Sequence, residues 1–424
     1  MMIDPRLLKD DPERIRLMLS QRNLSFPLDE LLLLDKRRRT LISESDLARH
    51  RKNVISQIIA RKMKTREDCS EELREMKSLG DIILKLSKDL EETDSNFKHL
   101  IMSLPNMVNS SVPVGANQRD NVVIKSIGTP SRFNFAPLDH VDLGIKLDLF
   151  DLERAAKISG SRFYFLKNVM VKLNIGLLHF ALDYLQDQGY VPLQPPYMIR
   201  REPMEGAVVL EDFEHVIYKI HGEDLHMIGT SEHAMAAMHM DEILEGSILP
   251  LRYAGISPCF RKEAGAHGKD TKGIFRVHHF DKVEQFVFTR PEDSEKEHQK
   301  MVELAEKFYE KLGIPIRTVI LCTADMGKTS SKTYDIEAWM PGQDCYREIV
   351  SSSNCLDYQS RRLRIRFRDR PDEETRLVHT LNSTLVATGR TLVAIIENCQ
   401  RADGTIEVPD PLKKFVGTDE ISAR

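Results

Sequence analysis

The sequence has few of the residues that cross-link a chain or carry it through a membrane. Its six cysteines among 424 residues form no C-x-x-C pair, so neither a disulfide-rich secreted scaffold nor a four-thiolate zinc site is expected. The longest uncharged run, Ile101–Gln118, contains two prolines, a glycine and three asparagines, which is typical of a linker and not of a membrane span. Neither charge sign dominates, since 61 basic residues stand against 65 acidic ones, and this excludes a histone-like polycation. Charges of both signs in the first 23 residues argue against a signal peptide, so we expect a cytoplasmic protein.

Glycine is nearly absent from the first hundred residues, where Gly80 is the only one. Apolar residues recur there at helical spacing, in the series Leu34, Leu41, Ala48 and Ile55, in the pair Leu47 and Val54, and from Leu73 to Ile101. We predict two long helices that fold back on each other at Lys62–Ser70, each about 45 Å long. Residues 1–104 are assigned to this helical arm, 105–121 to a linker and 122–424 to a second domain.

The two predicted arm helices carry opposite charge. Lys36–Arg66 contains eleven basic and two acidic residues, whereas Glu67–Leu104 contains ten acidic and five basic ones. The simpler interpretation is that the helices pair with each other and remain solvated, and the charge run alone favours it. The alternative is that the surplus basic residues bind nucleic acid phosphates.

Beyond the linker, mixed helical and strand patterns predict an α+β domain built on an antiparallel β-sheet. We predict strands at Leu225–Ile228, Leu249–Phe260, Ile274–Phe288, Ile316–Leu321, Ser331–Trp339 and Ile349–Ser352. Helices are predicted at Val171–Gln188, Ser231–Glu245, Pro291–Leu312 and Thr391–Cys399.

The densest group of chemically reactive side chains lies between Cys259 and Phe288. In a strand, the period of two would place Arg276, His278, Phe280, Lys282 and Glu284 on one face. Arginine forks match phosphate oxygens and an aromatic ring can stack on a base, so this face suits a phosphorylated, ring-bearing ligand. A solvated hairpin with cross-strand ion pairs explains the same spacing equally well.

Two further clusters lie nearer the C-terminus. Arg390 stands at the start of an apolar helix, where a cation opposes the helix dipole, and a bound anion would remove that conflict. Gly389 beside it permits close backbone packing. Glu348 and Ser351 occupy a polar run whose role is either a hydrogen-bonded strand end or a ligand contact.

These clusters resemble the three motifs of class II aminoacyl-tRNA synthetases. Phe260, Arg261, Glu263, Arg276, Phe280 and Glu284 resemble motif 2, Gly389-Arg390 resembles motif 3, and Gly189-Tyr190 through Pro196-Tyr197-Met198 resembles motif 1. Thr230-Ser231-Glu232, Ala264–Thr271 and Ser353-Asn354-Cys355 resemble the seryl-tRNA synthetase family. Asn382-Ser383-Thr384-Leu385 and Gly273–His278 are closer to its archaeal and eukaryotic cytosolic members.

The resemblance implies a role for each matching residue. It implies catalytic roles for Arg261, Arg390 and Glu348. It implies ATP contacts at Arg261, Glu263, Arg276, Phe280, Glu348, Ser351 and Arg390. It implies serine contacts at Thr230, Glu232, Arg261, Glu284, Asn382 and Thr384. Glu348 and Ser351 would hold Mg²⁺ through ATP, whereas the scattered histidines lead us to expect no zinc.

The implied function is activation of L-serine with ATP to seryl-adenylate and its transfer to tRNA(Ser), with tRNA(Sec) as a second candidate acceptor. The family binds tRNA through its N-terminal arm, so the resemblance shifts the interpretation of the arm's charge toward RNA. Its motif 1 also implies a homodimer. Two alternatives are a ligase that loads a carrier protein and a non-enzymatic RNA-binding descendant. Relatives of the first kind lack the long arm, and the second is expected to lose the motif arginines, which are present here.

Overall fold

The structure is a computed structural model that describes residues 4–209, 214–263 and 272–423. The chain divides into two compact units. The first comprises Met1–Ser20 and Leu24–Leu104, and the second comprises Gln21–Asn23 and Pro105–Arg424. The segment 105–121 therefore packs within the second unit, where Asn106 is buried.

The first unit is helical throughout its described elements. Its helices are α1 (Arg6–Asp10), α2 (Pro12–Gln21), α3 (Leu28–Thr65) and α4 (Ser70–Ser103). The two long helices contain 38 and 34 residues, and Arg66 after α3 adopts a φ of 59° where the chain turns. The prediction of two long helices folding back on each other is confirmed.

One apolar stripe on each long helix is buried between them, with Leu41, Ile55, Phe97 and Ile101 all less than a tenth exposed. The second predicted pair is wrong at Leu47, which is 67% exposed, whereas Val54 is half-buried. An isolated pair of helices can cover only one face of each partner, so a second stripe has nothing to pack against.

Ion pairs join the two arm helices, as their opposite charges predict. The pairs are Arg51–Glu75 at 2.8 Å, Lys62–Glu72 at 2.5 Å and Arg38–Asp94. Exposed Arg37, Arg61 and Lys64 form no ion pair with any described residue. The first helix thus keeps basic side chains that its neighbour does not neutralise.

The second unit combines one large sheet with flanking helices. Its helices are α5 (His140–Lys146), α6 (Leu152–Ser159), α7 (Val169–Asp187), α8 (Arg201–Ala207), α9 (Ser231–Ala236), α10 (Ser294–Lys311), α11 (Tyr358–Leu363), α12 (Thr388–Asn398) and α13 (Asp410–Val416). The strands of the large sheet are β1 (Val122–Ile127), β4 (Val191–Leu193), β8 (Leu251–Phe260), β9 (His279–Thr289), β10 (Ile316–Ile320), β11 (Lys332–Met340), β12 (Cys345–Leu356) and β15 (His379–Ala387). Smaller sheets contain β2 (Phe150–Asp151), β3 (Phe165–Leu166), β5 (Met198–Ile199), β6 (His226–Met227), β7 (Ile243–Glu245), β13 (Arg366–Arg368), β14 (Arg376–Leu377), β16 (Ile406–Glu407) and β17 (Glu420–Ile421).

The large sheet has the strand order β1-β10-β11-β12-β15-β9-β8-β4 and is antiparallel except where β4 pairs with β8. Helices α7, α10 and α12 supply apolar side chains to a core that includes Leu177, Phe308 and Ile395, each fully buried against buried strand residues such as Val287. The predicted α+β fold on an antiparallel sheet is confirmed. Strands distant in sequence, β8, β9, β15 and β12, become neighbours in this order.

Three sequence predictions in the second unit are wrong in detail. The strand predicted to begin at Ile274 begins at His279, so Arg276 and His278 precede it. The helix predicted over Ser231–Glu245 ends at Ala236, and residues 243–245 form β7, which pairs with β13. Strand β15 was not predicted, because its polar interior at residues 382–384 lacks the apolar signal of a central strand.

Candidate active site

A cleft opens over the centre of the large sheet. Its lining includes seven residues predicted to belong to the site, namely Arg261, Glu263, Arg276, Phe280, Glu348, Thr384 and Arg390. These residues are supplied by β9, β12, β15, the start of α12 and the segments that follow β8 and precede β9. The fold therefore gathers side chains separated by more than a hundred positions in the sequence.

Arg261 follows the last residue of β8, and its orientation is fixed at two points. Its guanidinium lies over the ring of Phe280, 5.4 Å from the ring centre, and its Nε donates to the Gly229 carbonyl at 3.1 Å. His278 stabilises the backbone, since its Nδ1 lies 2.8 Å from the Arg261 carbonyl oxygen. The same Nδ1 lies 3.0 Å from the Tyr218 hydroxyl, so His278 positions the loop and does not share the cleft face with Phe280 as the spacing suggested.

Arg276 lies opposite Glu263 across the cleft wall. Its Nε is 3.6 Å from Glu263 Oε2, and it donates no hydrogen bond to any described residue. Glu263 adopts a φ of 48°, a left-handed backbone conformation that residues other than glycine rarely take. Such a conformation is typical of sites where the surrounding structure fixes a side chain for function.

Arg390 is held at the start of α12 by a carboxylate and an aromatic ring. Its Nη1 lies 2.9 Å from Glu348 Oε1 and donates to the Glu348 carbonyl at 3.0 Å. Its guanidinium also lies 5.2 Å from the centre of the Phe275 ring. A Cβ on Gly389 would approach the Ile274 carbonyl oxygen to 2.7 Å, which confirms the predicted close packing at this glycine. The absence of a side chain there brings the segment carrying Arg276 against the helix carrying Arg390.

Beside the cleft, Glu232 is bound by residues from three elements. Thr230 caps α9 by accepting the Glu232 backbone N–H at 3.2 Å. Glu232 Oε1 accepts a hydrogen bond from Asn382 Nδ2 at 3.1 Å and another from Gln359 Nε2 at 3.0 Å. Helix α9 can approach this closely because Gly255 on β8 has no side chain: a Cβ there would lie 2.6 Å from a sulfur of the helix.

Electrostatics make Glu232 unusual for a carboxylate. Burial and, to a lesser extent, the nearby Glu284 carboxylate raise its pKa to about 7, although Lys282 opposes the shift. Glu284 Oε2 lies 2.5 Å from Lys282 Nζ, and both side chains are almost fully buried. Thr384 donates to the same oxygen at 3.1 Å. The predicted amino-acid contacts thus form two hydrogen-bonded groups, Glu232 with Asn382 and Glu284 with Thr384, and the carboxylates of the two groups interact electrostatically.

Ser351 lines a second, wider cleft along the same sheet, which Glu348 also lines. Asp335 is its cross-strand partner on β11, and Oδ1 of Asp335 is buried without a hydrogen bond among the described residues. Burial and the Glu348 carboxylate raise the pKa of Asp335 well above its usual value. Oxygen ligands of this type, with one of them unsatisfied, suit a hard divalent cation such as Mg²⁺.

Three contributors to the site were not identified from the sequence: His278, Lys282 and Gln359. The strand period placed His278 and Lys282 on the predicted face. This period was the only signal for them in the sequence, and it assigns neither residue a role. Gln359 gave no signal, since only the fold brings α11 to Glu232. The stretch Ala264–Thr271, which contributed to the resemblance, lies outside the described residues.

No helix within the described residues is long and apolar enough to cross a membrane. Comparison with protein families matches residues 216–399 to the tRNA synthetase class II core domain (G, H, P, S and T). Residues 2–108 match the seryl-tRNA synthetase N-terminal domain.

Relatives match over the whole chain. A serine–tRNA ligase of Nitrosopumilus maritimus is 57% identical over 99% of this chain and 100% of its own length. A crystal structure of seryl-tRNA synthetase from Pyrococcus horikoshii complexed with ATP superposes with a TM-score of 0.95 at 46% identity, covering 100% of both chains. A cytoplasmic serine–tRNA ligase from Naegleria fowleri in complex with AMP superposes with a TM-score of 0.89 at 32% identity, covering 100% of this chain and 99% of that one.

Proposed function

Since the chain belongs to the seryl-tRNA synthetase family of class II aminoacyl-tRNA synthetases, we propose that it activates L-serine with ATP and transfers the seryl group to the 3′ end of tRNA(Ser). The observation that carries the proposal is the convergence of Arg261, Arg276 and Arg390 on one cleft beside a carboxylate-lined pocket. Three arginines suit a triphosphate, and the buried carboxylates suit an ammonium group.

Adenylate formation is proposed to depend on charge stabilisation without proton transfer. The serine carboxylate attacks the α-phosphate, a new C–O–P bond forms, and the bond to pyrophosphate breaks as its electron pair leaves with that group. Arg261 is proposed to contact the α-phosphate and the serine carboxylate, while Phe280 would stack on the adenine and Glu263 would hold its edge. Arg276 and Arg390 are proposed to bind the γ-phosphate end, so that positive charge would lie where negative charge accumulates.

Glu348 and Ser351 are proposed to hold Mg²⁺ through ATP. The ion would neutralise phosphate charge and withdraw electrons from the bond to the leaving group. Arg390 already binds Glu348, so this arginine orients the carboxylate toward the cleft. Asp335 adds an unsatisfied oxygen next to Ser351 and supports the same assignment.

The amino-acid pocket is proposed to bind serine through Thr230, Glu232, Glu284, Asn382 and Thr384. Glu232 neutralises the substrate ammonium, since its carboxylate is desolvated and already oriented by two amide donors. Thr384 and Asn382 are proposed to meet the serine hydroxyl. A pocket built to pair a hydroxyl rejects alanine strongly, because the unpaired polar groups remain buried.

Residues 1–104 are proposed to form the tRNA-binding arm. The exposed, unpaired Arg37, Arg61 and Lys64 support this role, since phosphate neutralisation provides most of the affinity in shape-based RNA binding. tRNA(Sec) is a second candidate acceptor. A cytoplasmic location follows from this role in protein synthesis.

A homodimer through the motif 1 segment is also proposed. Val171 and Ile175 on α7 are 39% and 59% exposed, and Val191 on the edge strand β4 is 57% exposed. An apolar helix face beside a free sheet edge is suited to a second copy. Light scattering of the purified chain should give twice the monomer mass, and a monomer mass would contradict the dimer.

The decisive experiment measures ATP–pyrophosphate exchange with each of the twenty amino acids, without tRNA. Exchange with serine alone is expected, followed by charging of tRNA(Ser) and a parallel trial with tRNA(Sec). Absence of exchange with every amino acid would overturn the proposal in favour of an RNA-binding role.

A further inference from the structure

Lys282 is a buried cation in the wall between the cleft and the amino-acid pocket. It lies on β9 with 5% of its surface exposed, opposite Ser257 on β8 and Ala387 on β15. Its Nζ contacts Glu284 Oε2 at 2.5 Å, and it also lines the cleft. A buried ammonium is costly unless it is paired, so removing either partner leaves an uncompensated charge.

Thr384 uses the same carboxylate oxygen. Its hydroxyl donates to Glu284 Oε2 at 3.1 Å, which commits the only proton that a threonine side chain can donate. The lone pairs of Thr384 Oγ1 then remain as acceptors. Within the described residues both contacts of Glu284 use Oε2, so Oε1 remains an acceptor as well.

The other charged and titratable groups around this pair come from every neighbouring element. They are Glu232 and His233 on α9, Arg261 after β8, Cys259 on β8 and Cys355 on β12. Burial lowers the pKa of His233 to about 3, and burial also raises the thiol pKa of both cysteines, so these three are neutral. The charged groups that act on both Glu232 and Cys259 are Glu284, Lys282 and Arg261, and Glu263, Arg276, Glu348 and Arg390 line the same cleft as Lys282.

Without Lys282, the desolvated carboxylates of Glu232 and Glu284 would lose a cation that offsets their mutual repulsion. Such a pair takes up a proton readily, and a protonated carboxyl group becomes a hydrogen-bond donor. Either carboxylate could then present an O–H where the native pocket presents only oxygen lone pairs. Lys282 therefore favours the ionised form of both carboxyl groups, in which they are hydrogen-bond acceptors.

We propose that Lys282 is a specificity-determining positioning residue, which fixes Glu284 and Thr384 as hydrogen-bond acceptors toward the side chain of the amino-acid substrate. The pocket then selects a small side chain that donates a hydrogen bond, as a primary hydroxyl does. This inference rests on the proposed function, because it concerns how the same pocket distinguishes serine from alanine.

The test compares Lys282→Gln and Lys282→Met with the wild type in pyrophosphate exchange, using serine and alanine between about pH 6 and 8.5. Lys282→Arg keeps the charge, and Lys311→Gln, on the exposed end of α10, is the matched control. Both neutral variants should lose at least about tenfold in the ratio of kcat/KM for serine over alanine. Their KM for serine should fall more steeply with rising pH than in the wild type, while KM for ATP changes less than about twofold.

Lys282→Arg should retain more of the wild-type pH profile than either neutral variant, and the Lys311 control should match the wild type. The use of two neutral variants of different polarity allows the test to proceed if one of them does not fold. An unchanged serine-to-alanine ratio and pH profile in a folded neutral variant would overturn the inference. If the wild type itself gave no exchange with serine, the proposed function would fail first, and the two failures are thus distinct.

Discussion

Two ion pairs, one in the helical arm and one in the candidate site of the sheet unit, lie in opposite environments. In the arm, the pair Arg51–Glu75 has side chains 57% and 42% exposed, whereas the pair Lys282–Glu284 in the sheet has side chains 6% and 2% exposed. Exposed pairs contribute little to stability, about 0 to 1 kcal/mol, and remain available to a partner such as RNA. Buried pairs are destabilising to break and hold their atoms in one geometry. The arm is thus suited to binding a long polyanion, and the sheet is suited to orienting small substrates.

The largest effect is expected at Arg261 in the sheet unit. Arg261→Ala should reduce adenylate formation by about a thousandfold or more, because the charge at the α-phosphate is lost. The fold should persist, so circular dichroism and thermal unfolding of the variant should match those of the wild type. Pyrophosphate exchange measures the effect, and near-normal turnover would remove Arg261 from the mechanism.

The complementary change removes the arm and leaves the sheet unit. Deletion of residues 34–101, bridged by a short Gly-Ser linker, should abolish tRNA charging and preserve serine-dependent exchange, because the two proposed functions are assigned to different units. A milder variant replaces Arg37, Arg61 and Lys64 by glutamine. This glutamine variant should bind tRNA more weakly, and its binding should depend less on salt concentration. Charging of tRNA by the deletion variant at the wild-type rate would refute the arm's role.

A third prediction concerns the pH dependence of serine binding. The pKa of Glu232 is raised to about 7, so this carboxyl group gains a proton as the pH falls below that value. Only the ionised form pairs with the substrate ammonium, and KM for serine should therefore rise between about pH 7.5 and 6. Steady-state kinetics in that range measure it. Glu232→Gln should have a weaker KM that varies little with pH, and a pH-independent KM in the wild type would contradict the prediction.

The smallest effects are expected for alanine substitution of two glycines, Gly389 in the sheet unit and Gly80 in the arm. Gly389→Ala would force a Cβ to 2.7 Å from a backbone oxygen of Ile274, so the segment carrying Arg276 must move, and KM for ATP should rise by about tenfold. Gly80→Ala on α4 has nothing within 4 Å and should stabilise the arm by about 0.5–1 kcal/mol. Kinetics for the first and thermal unfolding for the second measure these changes. An unchanged KM for ATP in Gly389→Ala would show that the site does not depend on close packing at Gly389.

The sequence predicted the arm better than it predicted the sheet. Long helices depend on local periodicity and on the near absence of glycine, both of which are visible in the chain. One arm stripe, at Leu47, was wrong because the sequence does not show which faces find a partner. In the sheet, β15 was missed because a strand that lines a polar site carries asparagine, serine and threonine where a buried strand normally carries apolar residues.

In the candidate site too, the sequence showed local spacing but not the contacts between distant residues. The spacing placed Phe280, Lys282 and Glu284 on one strand face, but it also placed Arg276 on that strand, which begins three residues later at His279. The family motifs identified the arginines and the carboxylates individually. Their mutual contacts, such as Arg390 with Glu348 and Thr384 with Glu284, join residues 42 and 100 positions apart.

By itself the sequence determined the two helices of the arm, their opposite charges and the residue types of the site, because each depends on neighbours along the chain. Tertiary structure alone decided that Gln359 and Asn382 orient Glu232 and that Lys282 and Thr384 meet at one oxygen of Glu284. It also decided the pKa of Glu232, since burial and a second carboxylate exist only after the strands assemble. The physical reason is that desolvation and hydrogen-bond geometry depend on which side chains share a volume, and pairing between distant strands determines this.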